Sequence, residues 1–126
     1  MEALTLTNSE WYVLDCLWER SPMTVMELVS ALHEKMGWAK STTITTLRRM
    51  EAKGLLHCQV EGRAKHYTPA VERQSAARRE TRSFLDRVYQ GSVGLMVSSL
   101  VRDEALSREE IDQLYEILRQ AEEGTK

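Results

Sequence analysis

The sequence predicts a mainly α-helical fold with a small β-hairpin, divided into two parts. Three observations carry this. Helix starts are written at three places as Ser or Thr followed three residues later by Glu. The apolar period is near 3.6 residues until Gly54 and near 2 just after it. Helical patterning then returns at Val71 and runs with breaks to the end. At 126 residues the chain is one ordinary domain, or a small domain with an appendage. Hydrophobic residues at 42% and charged residues at 29% are globular values, which argue against wholesale disorder and fibrous repeats.

The first helix is expected over 8–20. Thr7 and Glu10 form its capping box, Leu6 and Trp11 its hydrophobic staple, and Pro22 marks its end. Its apolar face is Trp11, Leu14, Leu17 and Trp18. The second, over 25–36, starts at the Thr24–Glu27 box and stops at Gly37. The third runs from about Ser41 to Lys53. Residues 55–60 and 65–68 then read as two short strands around a turn at Glu61-Gly62. Helix, helix, helix and hairpin in this order describe a winged helix-turn-helix domain, placed at 1–70. Residues 71–126 are expected to be a helical dimerisation domain. A helix to about Tyr89 is interrupted at Gly91 and Gly94, an apolar stretch follows over 95–101, and a last helix spans 108–122 behind the Ser107–Glu110 box.

Short helices with apolar stripes are marginal in water and must bury those stripes. Phe84, Leu85, Val88, Tyr89, Leu95, Met96, Leu100, Val101, Ile111, Leu114 and Leu118 have no sequence-evident partner in their own chain. They are assigned to an interface with a second subunit. The alternative is that these helices fold back on their own winged domain.

The net charge of −2 hides a pattern. Residues 38–67 carry Lys40, Arg48, Arg49, Lys53, Arg63 and Lys65 against only Glu51 and Glu61. Both ends of the chain are acidic, so positive charge gathers in the middle, where an anion can bind. On a helical wheel, Thr43, Leu47 and Met50 share the core face of the third helix. Ser41, Thr42, Thr45, Arg48, Arg49 and Ala52 share the opposite face. Short side chains let a helix approach the floor of a DNA major groove. Hydroxyls bond bases or phosphates, and arginine reaches guanine edges or phosphates. Ile44, on the flank, suits a thymine methyl. A merely solvated helix is poorly built from so many β-branched residues. At the hairpin tip, Arg63, Lys65 and His66 suit phosphate or the minor groove.

Other chemistry is poorly supported. His57, Cys58 and His66 share the hairpin, but neighbours His57 and Cys58 point to opposite faces of a strand. No metal or cofactor is assigned. No nucleophile–base motif, paired-carboxylate motif or glycine-rich phosphate loop is visible, so no enzyme is expected. Cys16 and Cys58 form no CxxC, the start lacks the features of a secretory signal, and no apolar run reaches the roughly 20 residues of a membrane span. A reducing cytoplasm fits these features best.

Four segments in order resemble the penicillinase-repressor (BlaI/MecI/CopY) family: LTNSEWYVLDCLWE, WAKSTTITTLRRMEAKGLL, GRAKHYTP and FLDRVYQG. The resemblance implies a cytoplasmic homodimeric repressor on a palindromic operator of double-stranded DNA, with no direct membrane binding. It places Ser41, Thr42 and Thr45 at base- and phosphate-contacting positions and makes Tyr67 the wing tyrosine. In several members a membrane metallopeptidase sensor drives cleavage in the dimerisation segment. The scissile Asn-Phe pair of antibiotic-responsive members aligns with Ser99-Leu100, a departure. The copper-responsive branch carries a C-terminal cysteine cluster, and this tail, AEEGTK, has none. Ala39 stands where related sequences often have a capping serine, which would shift the cap to Ser41. Three readings follow: a DNA-binding repressor of a resistance or stress operon, which the residues favour; a winged helix used for protein contacts; and an enzyme. Release from DNA follows either cleavage or a ligand in the dimer cavity.

Overall fold

The computed structural model of the chain describes residues 6–124. It divides into two compact units, the first ending at Thr81 and the second beginning at Arg82. The first contains α1 (Asn8–Glu19), β1 (Met23–Thr24), α2 (Val25–Met36), α3 (Lys40–Ala52), β2 (Leu56–Glu61), β3 (Ala64–Pro69) and the start of α4 (Arg73–Tyr89). Both expected capping boxes of this unit form. Thr7 and Thr24 hydroxyls accept the N–H of Glu10 and Glu27, whose carboxylates accept the cap N–H in return.

The three helices enclose one apolar core. Val13, Leu14 and Leu17 of α1 meet Leu28 and Leu32 of α2, Leu47 and Met50 of α3, and Leu55 and Leu56 beyond it, all at most 5% exposed. Burial of each such side chain contributes on the order of 1.5–3 kcal/mol. That burial, not intrinsic propensity, holds α3, whose threonine run is a weak helix former.

The turn before α3 is braced by its own residues. Gly37 closes α2 in the left-handed region at φ 72°, and its N–H donates to the His33 carbonyl at 2.9 Å. The His33 ring Nδ1 lies 3.2 Å from the Trp38 carbonyl, which can only accept, so Nδ1 carries the proton in this contact. Tyr12 packs edge-on against Trp38. The helix then starts at Lys40, one residue before the expected position. The cap does not shift to Ser41: Ala39 is the N-cap and makes no side-chain hydrogen bond. The N–H groups of Thr42 and Thr43 already donate to the Ala39 carbonyl, which places Ser41 inside the first turn.

The sheet is antiparallel with strand order β1-β3-β2. Its two-residue β1 lies outside the expected hairpin. Met23 pairs with Tyr67 and Thr24 with His66. Glu61 pairs with Ala64, so the hairpin tip is Gly62-Arg63, one residue later than expected, with Gly62 at φ 62° as the first turn residue. Trp18 Nε1 donates to the Val71 carbonyl at 2.9 Å, and Arg73 stacks over the Trp18 ring, which tie the chain entering α4 to α1.

The second unit holds the end of α4, then α5 (Val93–Arg102) and α6 (Arg108–Gly124). The Ser107–Glu110 box forms as expected. Gly91 follows α4 at positive φ, but Gly94 does not interrupt: it lies inside α5, which Ser92 caps through the Leu95 N–H. Neither α5 nor α6 contains a buried residue. Phe84, Val88, Leu95, Leu100, Val101 and Leu118 are exposed, while Tyr89, Met96, Ile111 and Leu114 are half-buried. Leu85 departs from the expectation: it is only 6% exposed within the single chain. No helix among the described residues is long and apolar enough to cross a membrane.

Candidate nucleic-acid interface

The third helix presents the surface its sequence periodicity describes. Thr43, Thr46, Leu47 and Met50 are buried, and Ser41, Thr42, Thr45, Arg48, Arg49 and Ala52 are exposed, with Ile44 half-buried on the flank. The exposed residues form a continuous strip because they recur at helical spacing opposite the core contacts. Small hydroxyl-bearing side chains occupy the first two turns and the arginines the third. Thr46, though a threonine, is not part of this strip: its hydroxyl donates to the Thr42 carbonyl at 2.8 Å. On the hairpin, Arg63 and Lys65 are exposed at and beside the tip, and His66 is half-buried in the central strand.

Tyr67 is separate from this exposed set. It is 3% exposed, and its hydroxyl donates to Glu51 Oε1 of α3 at 3.1 Å. Burial, with the Glu51 carboxylate beside it, pushes the phenol well above its usual range, so it remains a neutral donor. Strand alternation explains the placement. Tyr67 and its neighbour His66 are both paired on two sides, Tyr67 with Met23 and Cys58, and of the two it is Tyr67 that faces the core. It therefore fastens the hairpin to α3 instead of presenting its ring to solvent.

A second fastening joins α3 to α1. Glu10 has no exposed surface, and both of its carboxylate oxygens accept from Lys53 Nζ at 2.9 Å. Arg49 Nε lies 3.7 Å from Oε2 of the same group. Burial pushes the Glu10 carboxyl up. Hydrogen bonds from Lys53 and the Thr7 N–H, with the lysine charge, outweigh burial and hold it below the usual carboxylate value. In the sequence, Glu10 stands out only as half of a capping box. Its ion pair with Lys53 joins residues 43 positions apart, and no local pattern marks it. Among the described residues, no group of His, Cys, Asp and Glu gathers as metal ligands would.

A helical domain whose third helix offers hydroxyls and arginines and is followed by a basic-tipped hairpin is a winged-helix DNA-binding protein. The family model of the penicillinase repressor matches residues 6–120, and the chain belongs to that family, which is one of transcriptional repressors. A penicillinase repressor of Bacillus licheniformis is 32% identical over 115 residues, 91% of this chain and 90% of that protein. The methicillin resistance regulatory protein MecI of Staphylococcus aureus strain N315 is 24% identical over 113 residues, 90% of this chain and 92% of that protein. Among solved structures, the monomeric form of Bacillus licheniformis BlaI in complex with the blaP half-operator matches with a TM-score of 0.52 at 27% identity. That match covers 58% of this chain and 89% of that one.

Proposed function

We propose that this protein is a cytoplasmic homodimeric repressor that reads a palindromic operator and controls a resistance or stress operon. The observation that carries this reading is the exposed strip of Ser41, Thr42, Thr45, Arg48 and Arg49 on α3, together with the exposed Arg63 and Lys65 of the hairpin that follows it. In this reading the hydroxyls and arginines meet base edges and phosphates, Ile44 meets a thymine methyl, and the hairpin cations sit on the backbone. The half-operator bound by the related BlaI supports an arrangement in which each winged domain takes half a site. Two such half-sites lie about one helical turn apart and need two linked recognition helices. The exposed apolar side chains of the second unit supply that link. Phe84, Val88, Leu95, Leu100, Val101 and Leu118, with half-buried Tyr89, Met96, Ile111 and Leu114, are the proposed dimer surface.

Release follows from opening that link. A cut at Ser99-Leu100, inside α5, would sever α6 from the chain before it. In this route a membrane metallopeptidase sensor supplies the signal indirectly. A lone winged domain then loses the effective concentration given by its twin, a factor of about 10²–10⁴. A ligand in the dimer cavity is the other route. Immunoblots of induced cells separate the two: a stable fragment ending near Ser99 means proteolysis, and intact protein that has left the operator means a ligand.

The DNA-reading surface is tested by gel shift on the DNA upstream of the protein's own gene, across a salt series. Thr45→Ala is expected to weaken specific binding by about 1–3 kcal/mol if Thr45 touches a base. Lys65→Ala is expected to weaken all duplexes alike and reduce the salt slope by about one. Binding by Thr45→Ala and Arg49→Ala that matches the parent would falsify the assignment of α3.

A further inference from the structure

Arg49 of the recognition helix and Lys53 at its C-cap converge on one carboxylate that has no exposed surface. Glu10 is held on one side by the Thr7 N–H of its capping box and on another by Lys53 Nζ, which donates to both oxygens at 2.9 Å. The Arg49 contact differs in kind. It is made through Nε, at 3.7 Å, while the Arg49 side chain remains 51% exposed. Nε is the inner nitrogen of the guanidinium, so this contact leaves the two terminal nitrogens to donate elsewhere. Those terminal nitrogens form the fork that matches the O6 and N7 edge of guanine.

A long arginine side chain on a helix surface samples many rotamers, and a fixed anion at Nε restricts them. Glu10 is suited to that task because it is itself fixed: buried, in the first turn of α1, and shared with Lys53. The same region of α3 is also held from the sheet, where the Tyr67 hydroxyl donates to Glu51 at 3.1 Å. We infer that Glu10 is a positioning residue for sequence discrimination, acting through Arg49 by aiming its guanidinium fork at a base edge without touching DNA itself. This rests on the DNA-reading role proposed for α3.

The test is competition binding of the full chain at fixed salt. It compares the duplex from upstream of the protein's own gene with a scrambled duplex, and repeats the comparison across a KCl series. Arg49→Ala and Glu10→Gln are each expected to lower the ratio of specific to non-specific affinity by roughly tenfold, the worth of one base contact. In the Arg49→Ala background, Glu10→Gln is expected to lower the ratio no further. A merely structural Glu10 would weaken both duplexes together and leave the ratio unchanged, or would add to Arg49→Ala in the double variant; either result overturns the inference. Arg49→Lys keeps the Glu10–Lys53 pair intact and tests the arginine end of the inference even if Glu10→Gln does not fold. Lysine retains the charge and lacks the fork, so the ratio is expected to fall as far as in Arg49→Ala with the salt slope unchanged. Full discrimination by Arg49→Lys overturns the inference. A parent that discriminates, with Arg49→Ala equal to it, refutes this inference alone. A parent that does not discriminate refutes the DNA-reading role and the inference with it.

Discussion

The Glu10 carboxylate is held by Lys53 and by the Thr7 cap, and its proton affinity therefore reports on the fold. Its carboxyl lies below the ordinary value of 4.5 in the folded chain. A group whose folded pKa is depressed contributes stability that is complete above its unfolded pKa and is lost as pH falls through the folded one. Urea midpoints measured across pH are thus expected to fall below about pH 4.5, and to fall less steeply in Glu10→Gln. Glu10→Ala is expected to cost about 2–4 kcal/mol, less than a fully buried pair, because Lys53 keeps partial access to water. Thr43 is the opposite case. It is fully buried on the core face, and its hydroxyl has no hydrogen-bond partner. Thr43→Val is expected to stabilise the fold by about 1 kcal/mol in thermal melts and to leave DNA affinity unchanged. Side-chain periodicity makes the inward direction of Thr43 legible in the sequence. The surroundings of Glu10 and Tyr67 are not legible, because each depends on a residue distant in the chain that only tertiary packing brings near.

Elements differ in how much of their cause is local. Capping boxes join residues three apart, so the starts of α1, α2 and α6 can be read directly, and all three boxes form. The two-residue β1 has no such signature. Its strand character comes from pairing with β3, and Thr24 at its end is also the cap of α2. Helix α3 shows the same contrast within one element. Its faces are legible from the 3.6-residue period, whereas its start is not, because no side chain caps it. The backbone of Ala39 is extended there, as an N-cap requires, and lacks only an acceptor. Ala39→Ser is therefore expected to raise stability by about 0.5–1 kcal/mol, read as a higher denaturation midpoint. No increase would mean that the N–H groups of this turn already have partners in water as good as a serine hydroxyl.

At the scale of the whole molecule, the two units differ in how they are held. The first has a core closed by three helices and a sheet. In the second, α5 and α6 bury nothing fully, and Leu100, Val101, Tyr115, Ile117 and Leu118 stand exposed. Apolar stripes left in water on short helices are the mark of a missing partner. Dimerisation supplies it in the proposed reading. Leu114→Ala, which removes a side chain central to α6, is expected to raise the monomer fraction in sedimentation at micromolar concentration. Operator affinity is expected to fall with it, although the DNA face is untouched. A parent protein that sediments as a monomer at high concentration contradicts the dimer. The central claim, that this winged helix reads sequence and does not merely attract phosphate, is met most directly by one competition titration. Labelled upstream duplex bound to the parent protein is displaced, at physiological salt, by unlabelled upstream duplex or by scrambled duplex of equal length. A sequence-reading repressor is expected to require at least about 10³-fold more scrambled DNA; equal displacement by the two duplexes contradicts it.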